Sequence, residues 1–81
     1  MKIDIYKSTK NSKKFLSVKS GQDIAAIHVA DPDYESVSVS KLGVDLDPNK
    51  PRVGLDVNEA IATIEAQGYY LHGVSISFSE N

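Results

Sequence analysis

Eighty-one residues suffice for one hydrophobic core but bury only about 60–65 % of the unfolded surface, so a single domain over residues 1–81 with modest stability is expected. The hydrophobic content of 41 % and charged content of 25 % are those of an ordinary globular chain, and no apolar run approaches the roughly 18–20 residues of a membrane span. The absence of cysteine excludes disulfides, thiol chemistry and cysteine-ligated metal centres, and the opening MKIDIYKSTK holds no apolar signal core, so a cytoplasmic location is the expectation.

In chain order, Ile3 and Ile5 alternate with Asp4 and Tyr6, and the pattern resumes after a polar stretch as Phe15, Leu16 and Val18. Two strands joined as a hairpin fit this alternation. Gln22 to Ile27 then read as a short helix that Asp31-Pro32-Asp33 cannot continue. Val37 and Val39 alternate with Ser36, Ser38 and Ser40, whereas Leu42, Val44 and Leu46 alternate in the opposite parity. Either a bulge near Ser40-Lys41 shifts the phase or two strands meet there. Asp47-Pro48-Asn49-Lys50-Pro51 is turn chemistry.

The most legible stretch follows. Asp56 precedes an apolar-periodic segment and Glu59 stands three residues on, the spacing of a capping box. Val57, Ala60, Ile61 and Ile64 lie on one helical stripe, Gly68 supplies the left-handed exit, and the period then changes to two. His72, Val74, Ile76 and Phe78 share one face of a last strand, with Leu71 and Ser75, Ser77 and Ser79 on the other. The predicted fold is a two-layer α+β domain of mostly antiparallel sheet, with an N-terminal β-hairpin, one short and one longer helix, in the order β-β-α-β-α-β.

The hairpin segment IYKSTKNSKKFLSV and the segment QGYYL, Gln67 to Leu71, resemble the first hairpin and the helix exit of the YcgL-like family of small proteobacterial proteins. Asp23-Ile24, Leu46-Asp47 and Asp56 fall roughly where similar residues occur in that family. A second group of small bacterial proteins, opening with Met-Lys-x-Asp-Ile-Tyr and ending in a Gly-Tyr strand, is about as similar. The chain departs from the YcgL-like pattern after Leu71, where that pattern turns proline-rich. The resemblance implies a small α/β domain in a bacterial cytoplasm, and no catalytic residue comes with it, because neither group has an established function.

Charge is the strongest pointer to a partner. Residues 1–19 hold six lysines against Asp4 and carry +5, while residues 20–81 carry −7, giving the overall −2. A hairpin bearing Tyr6, Lys7, Lys10, Lys13 and Lys14 is therefore the candidate binding surface, with another protein as the expected partner, an acidic one by charge complementarity. RNA or another polyanion is the alternative ligand of the same hairpin, with Tyr6 and Phe15 available for stacking. Against that alternative, the chain is acidic overall and holds a single arginine. Lysines also guard exposed edges and loop tips from pairing. The serine-lined face of the sheet is a second possible surface.

Other motifs point to structure before chemistry. Asp45, Asp47, Asn49 and Asp56 take the first, third, fifth and twelfth places of a calcium loop, but Lys50 replaces the glycine of the sixth, and no metal or other cofactor is expected. His28 and His72 stand beside no nucleophile motif, and His72 reads as a hydrogen-bonded strand histidine. One of Tyr69 and Tyr70 is assigned to the core and the other to the sheet surface. With no convergent acid–base groups in view, the chain is expected to be a non-enzymatic interaction or regulatory accessory module.

Overall fold

Alternating apolar residues build the sheet around its N-terminal hairpin. In the computed structural model, which describes residues 1–50 and 55–73, strands β1 (Lys2–Ser8) and β2 (Lys14–Lys19) pair antiparallel, with Ile3 opposite Lys19 and Tyr6 opposite Leu16. Strand β3 (Val37–Asp45) adds antiparallel to β1, and β4 (Tyr69–Gly73) adds antiparallel to β2. The strand order is β3-β1-β2-β4, so among the described residues β3 and β4 are the sheet's two edges.

Helix α1 (Val57–Gln67) covers one face of this sheet. Val57, Ala60 and Ile64 are buried with Ile3, Val44 and Leu46, and Ile5, Ile61 and Tyr70 pack at the margin. One half of the predicted capping box forms: Asp56 accepts the Glu59 amide at 3.0 Å through its side chain, while the Glu59 carboxylate makes no return bond to the Asp56 amide. At the other end Gly68 adopts φ +94° and donates its amide to the Ile64 carbonyl at 2.8 Å, a conformation that costs glycine little.

The expected short helix at residues 22–27 is corrected. It is a single 3-10 turn, Ile24–Ala26, capped by Asp23, and a second 3-10 turn, Pro32–Tyr34, follows with Asp31 as its cap. Too few residues lie between the Asp23 cap and Asp31-Pro32 to repay nucleation of an α-helix, and each Asx side chain offers its own amide two residues on a ready acceptor. Among the described residues there is therefore one α-helix rather than two. The 20–36 segment instead straps the second face of the sheet, where Leu16 and Val18 are fully buried.

The parity change in β3 is a bulge within one strand. Register shifts fall between the pairs Ile3–Val44, Ile5–Lys41 and Tyr6–Val39, so β3 carries extra residues opposite β1. Gly43 takes φ +67° in the first irregularity, as bulged strands favour. The buried Asp4 fills the gap: its carboxylate accepts the Gly43 amide at 2.9 Å, the Ser20 hydroxyl at 2.8 Å and the Gly21 amide at 3.4 Å. These donors, led by Gly43 and then Ser20, hold the Asp4 carboxyl below its ordinary pKa. The Asp47 turn closes as read, with the Lys50 amide on the Asp47 carbonyl at 2.8 Å and the Asn49 amide on its side chain at 2.9 Å. Pro51 of that turn and the strand positions Val74, Ile76 and Phe78 lie outside the described residues.

Candidate interaction surface

The five hairpin residues do not form one surface. Tyr6 lies opposite Leu16 and Val39 on the strapped face, and Lys7, one residue on, projects from the face that α1 covers in part. Lys10 and Lys13 belong to the tip between β1 and β2, and Lys14 opens β2.

Two of the lysines have intramolecular partners. The Lys14 ammonium bridges Asp31 at 2.5 Å and Asp33 at 3.1 Å and stands 5.9 Å from the centre of the Tyr34 ring, while Lys10 meets Glu35 at 3.2 Å. Hydrogen bonding to Asp31 and then Asp33 pushes the Lys14 pKa well up, and the Lys14 hydrogen bond holds the Asp31 carboxyl down. Ser8, buried at the hairpin exit, completes the fastening by donating to the Asp33 carbonyl at 2.5 Å and accepting the Lys10 and Asn11 amides. The basic tip thus clasps an acidic strap. Sequence reading missed Ser8, Asp31, Asp33 and Glu35 because nothing local shows that positions 8–14 and 31–35 meet; only the excess of lysine in one segment and of acid in the other hinted at it.

His72 is held as the strand reading anticipates. Its Nε2 lies 2.6 Å from the Ser17 hydroxyl, and its ring stacks between Phe15 and Tyr70 at centroid distances of 5.7 and 5.3 Å. Burial pushes the imidazole down to about 4, so it is neutral at physiological pH. Ser17 is completely buried, so this Ser–His pair presents no accessible nucleophile. Asp56 is spent on the helix cap and Asp47 on its turn, and no group of three or more potential metal-ligating side chains occurs among the described residues.

Two surface features remain. One is an open groove of about 600 Å³ between strap and sheet, lined by Leu16, Ile24, Ile27, His28, Tyr34 and Val37 among others. The other is the edge of β3, where Val39 and Leu42 are 57 % and 62 % exposed. The Thr9 amide donates to the Ser36 carbonyl at 3.0 Å, which makes 9 and 36 a hydrogen-bonded pair of the β1–β3 ladder. By alternation Ser38 faces Lys7 in the same way, and the amides and carbonyls of Val37 and Val39 point outward from the sheet. Val37 belongs to both features.

Compared with protein-family models, curated proteins and solved structures, the chain matches none. No helix among the described residues is long and apolar enough to cross a membrane.

Proposed function

We propose that this chain is a non-enzymatic protein-interaction module that receives an extended segment of another polypeptide along the free edge of β3. The observation that carries the reading is the outward-facing backbone of Val37 and Val39 beside an exposed Val39 side chain. Such an edge adds a strand through main-chain hydrogen bonds and takes specificity from alternate side chains. Lys41 and the register shifts limit the open stretch to residues 37–40, so the docking segment is short. It carries apolar residues at alternate positions and an acid to meet Lys41. The engagement of Lys10 and Lys14 within the molecule moves the proposed surface away from the hairpin tip and weakens the case for a polyanion ligand.

Nuclear magnetic resonance titration with a blocked Glu-Val-Thr-Val-Glu peptide tests this. Saturable shifts at the amides of Val37 and Val39 are expected, and Val39→Pro should abolish them, because the N–H it removes faces outward and serves no bond to β1. A peptide that shifts Lys13 and Lys7 while leaving Val37 and Val39 unmoved would return the surface to the hairpin.

A further inference from the structure

We propose that the strand docking on β3 is the β3 of a second copy of this chain, so that two four-stranded sheets join across a two-fold axis at Ser38. The inference rests on the reading of β3 as a docking edge and names its occupant.

The argument is one of register. Only Val37 and Val39 present outward hydrogen-bonding groups in the regular part of β3, so in an antiparallel pair of copies an odd-numbered residue must face an odd-numbered one. Three two-fold positions satisfy this. An axis at Val39 sets Val37 against Lys41, and an axis at Val37 sets Val39 against Glu35. Neither brings the exposed Val39 against the half-buried Val37, and each turns one of them toward a charge at or beyond the end of the regular stretch. An axis at Ser38 instead sets Val37 against Val39 of the second copy and Ser36 against Ser40, each contact occurring twice, and brings the end of the stretch that follows Glu35 in one copy alongside the end that precedes Lys41 in the other. Apolar meets apolar, hydroxyl meets hydroxyl, and opposite charges lie just beyond both ends of the regular ladder. The same patch serves both partners, as an isologous interface requires.

The surroundings agree with that register. Val37 and Val39 lie on the strapped face, so each Val39 of one copy comes down beside Val37 of the other, at the lip of the groove that Val37 lines with Tyr34 and Leu16. Glu35 already holds Lys10 in an exposed ion pair and has Lys41 of the second copy beyond the same end of the ladder. No acid of β3 faces an acid within residues 35–41, so the pairing meets no like-charge penalty.

Sedimentation equilibrium from micromolar to near-millimolar protein, together with a cysteine probe, decides it. The wild type should approach about 17.6 kDa, twice the 8.8 kDa of one chain, and Val39→Pro should remain at one chain. Ser38 sits on the proposed axis in a non-hydrogen-bonded position, where Cα atoms approach to about 4.5 Å, within the span a disulfide accepts. Because the chain has no cysteine of its own, Ser38→Cys should oxidise to a covalent dimer while Ser40→Cys, offset from the axis, should not. Val39→Lys serves as the second edge variant should the proline impair folding, and it too should be monomeric. A dimer in which Ser38→Cys links no better than Ser40→Cys places the interface elsewhere and overturns the proposal. A monomer throughout also overturns it: if the Glu-Val-Thr-Val-Glu peptide still shifts Val37 and Val39, the docking edge stands and only its occupant was wrong, whereas if it does not, both readings fall.

Discussion

His72 shows how one side chain can be satisfied in its packing and yet make the molecule acid-sensitive. Its ring is neutral in the folded state down to about pH 4, whereas in the unfolded chain it takes a proton near its ordinary 6.5. The unfolded state therefore binds the extra proton first. Stability contributed by the buried neutral ring is complete above about pH 6.5 and is lost as the pH falls through about 4, a loss on the order of 2–3 kcal/mol. Asp4 and Asp31, whose carboxyls are held low, add their own loss only below the ordinary carboxylate range, so the interval between isolates the histidine. Urea denaturation at pH 7 and pH 4.5 should show a falling midpoint for the wild type and a much flatter response for His72→Phe; equal responses would refute the assignment. Gly43 makes a separate point at the same scale. A Cβ there would touch nothing within 4 Å, so Gly43→Ala should cost only the strain of a left-handed backbone, roughly 1–2 kcal/mol by chemical denaturation.

At the level of elements, α1 and the strap contrast in how they are held. The helix start depends on Asp56, and Asp56→Ala should lower stability by about 1 kcal/mol, the usual cost of a lost N-cap, measurable as a shift in urea midpoint at unchanged m-value. The strap has no regular element longer than a 3-10 turn and is fastened by Ser8, Lys14 and Lys10. Lys14→Met should leave the strands ordered while raising hydrogen exchange at the Tyr34 and Glu35 amides, and a strap protected equally in both proteins would show that Ser8 and Lys10 hold it without Lys14. These elements were not equally legible beforehand. The helix announced itself because Asp56, Glu59, the stripe from Val57 to Ile64 and Gly68 are local chemistry at fixed spacing. The bulge in β3 was readable as a change of parity between Val39 and Leu42. The strap was misread as a short helix, since Ile24, Ala25 and Ile27 suit either form and the two Asx caps decide between them. The clasp between Lys14 and Asp31 was invisible for a different reason, because strand order and the face each loop crosses are not written in periodicity. For the same reason the candidate site shifted from the hairpin to β3, whose place at the edge follows only from the topology.

At the scale of the whole molecule, the sheet is covered by materials of unequal strength, a capped helix on one side and a strap over Leu16 and Val18 on the other. The strand order β3-β1-β2-β4 also fixes a sequence of events in time. A short loop joins β1 to β2, while β1–β3 pairing spans Lys2 to Asp45 and β2–β4 pairing spans Lys14 to Gly73. Closing the short loop is the cheapest first step for the chain, and the outer strands must be brought in from further along it. Mutations in the central hairpin should then slow refolding, whereas mutations in an outer strand should chiefly hasten unfolding. Stopped-flow measurements on Leu16→Ala and Tyr70→Ala would separate the two, with a reversed assignment of the rate effects counting against a hairpin nucleus. For the length of that search both faces of the hairpin lie open, and the β1 edge that later takes β3 is an unpaired strand edge able to pair with another chain. A cell making this protein has most to gain from a chaperone in the interval before residues 37–45 dock.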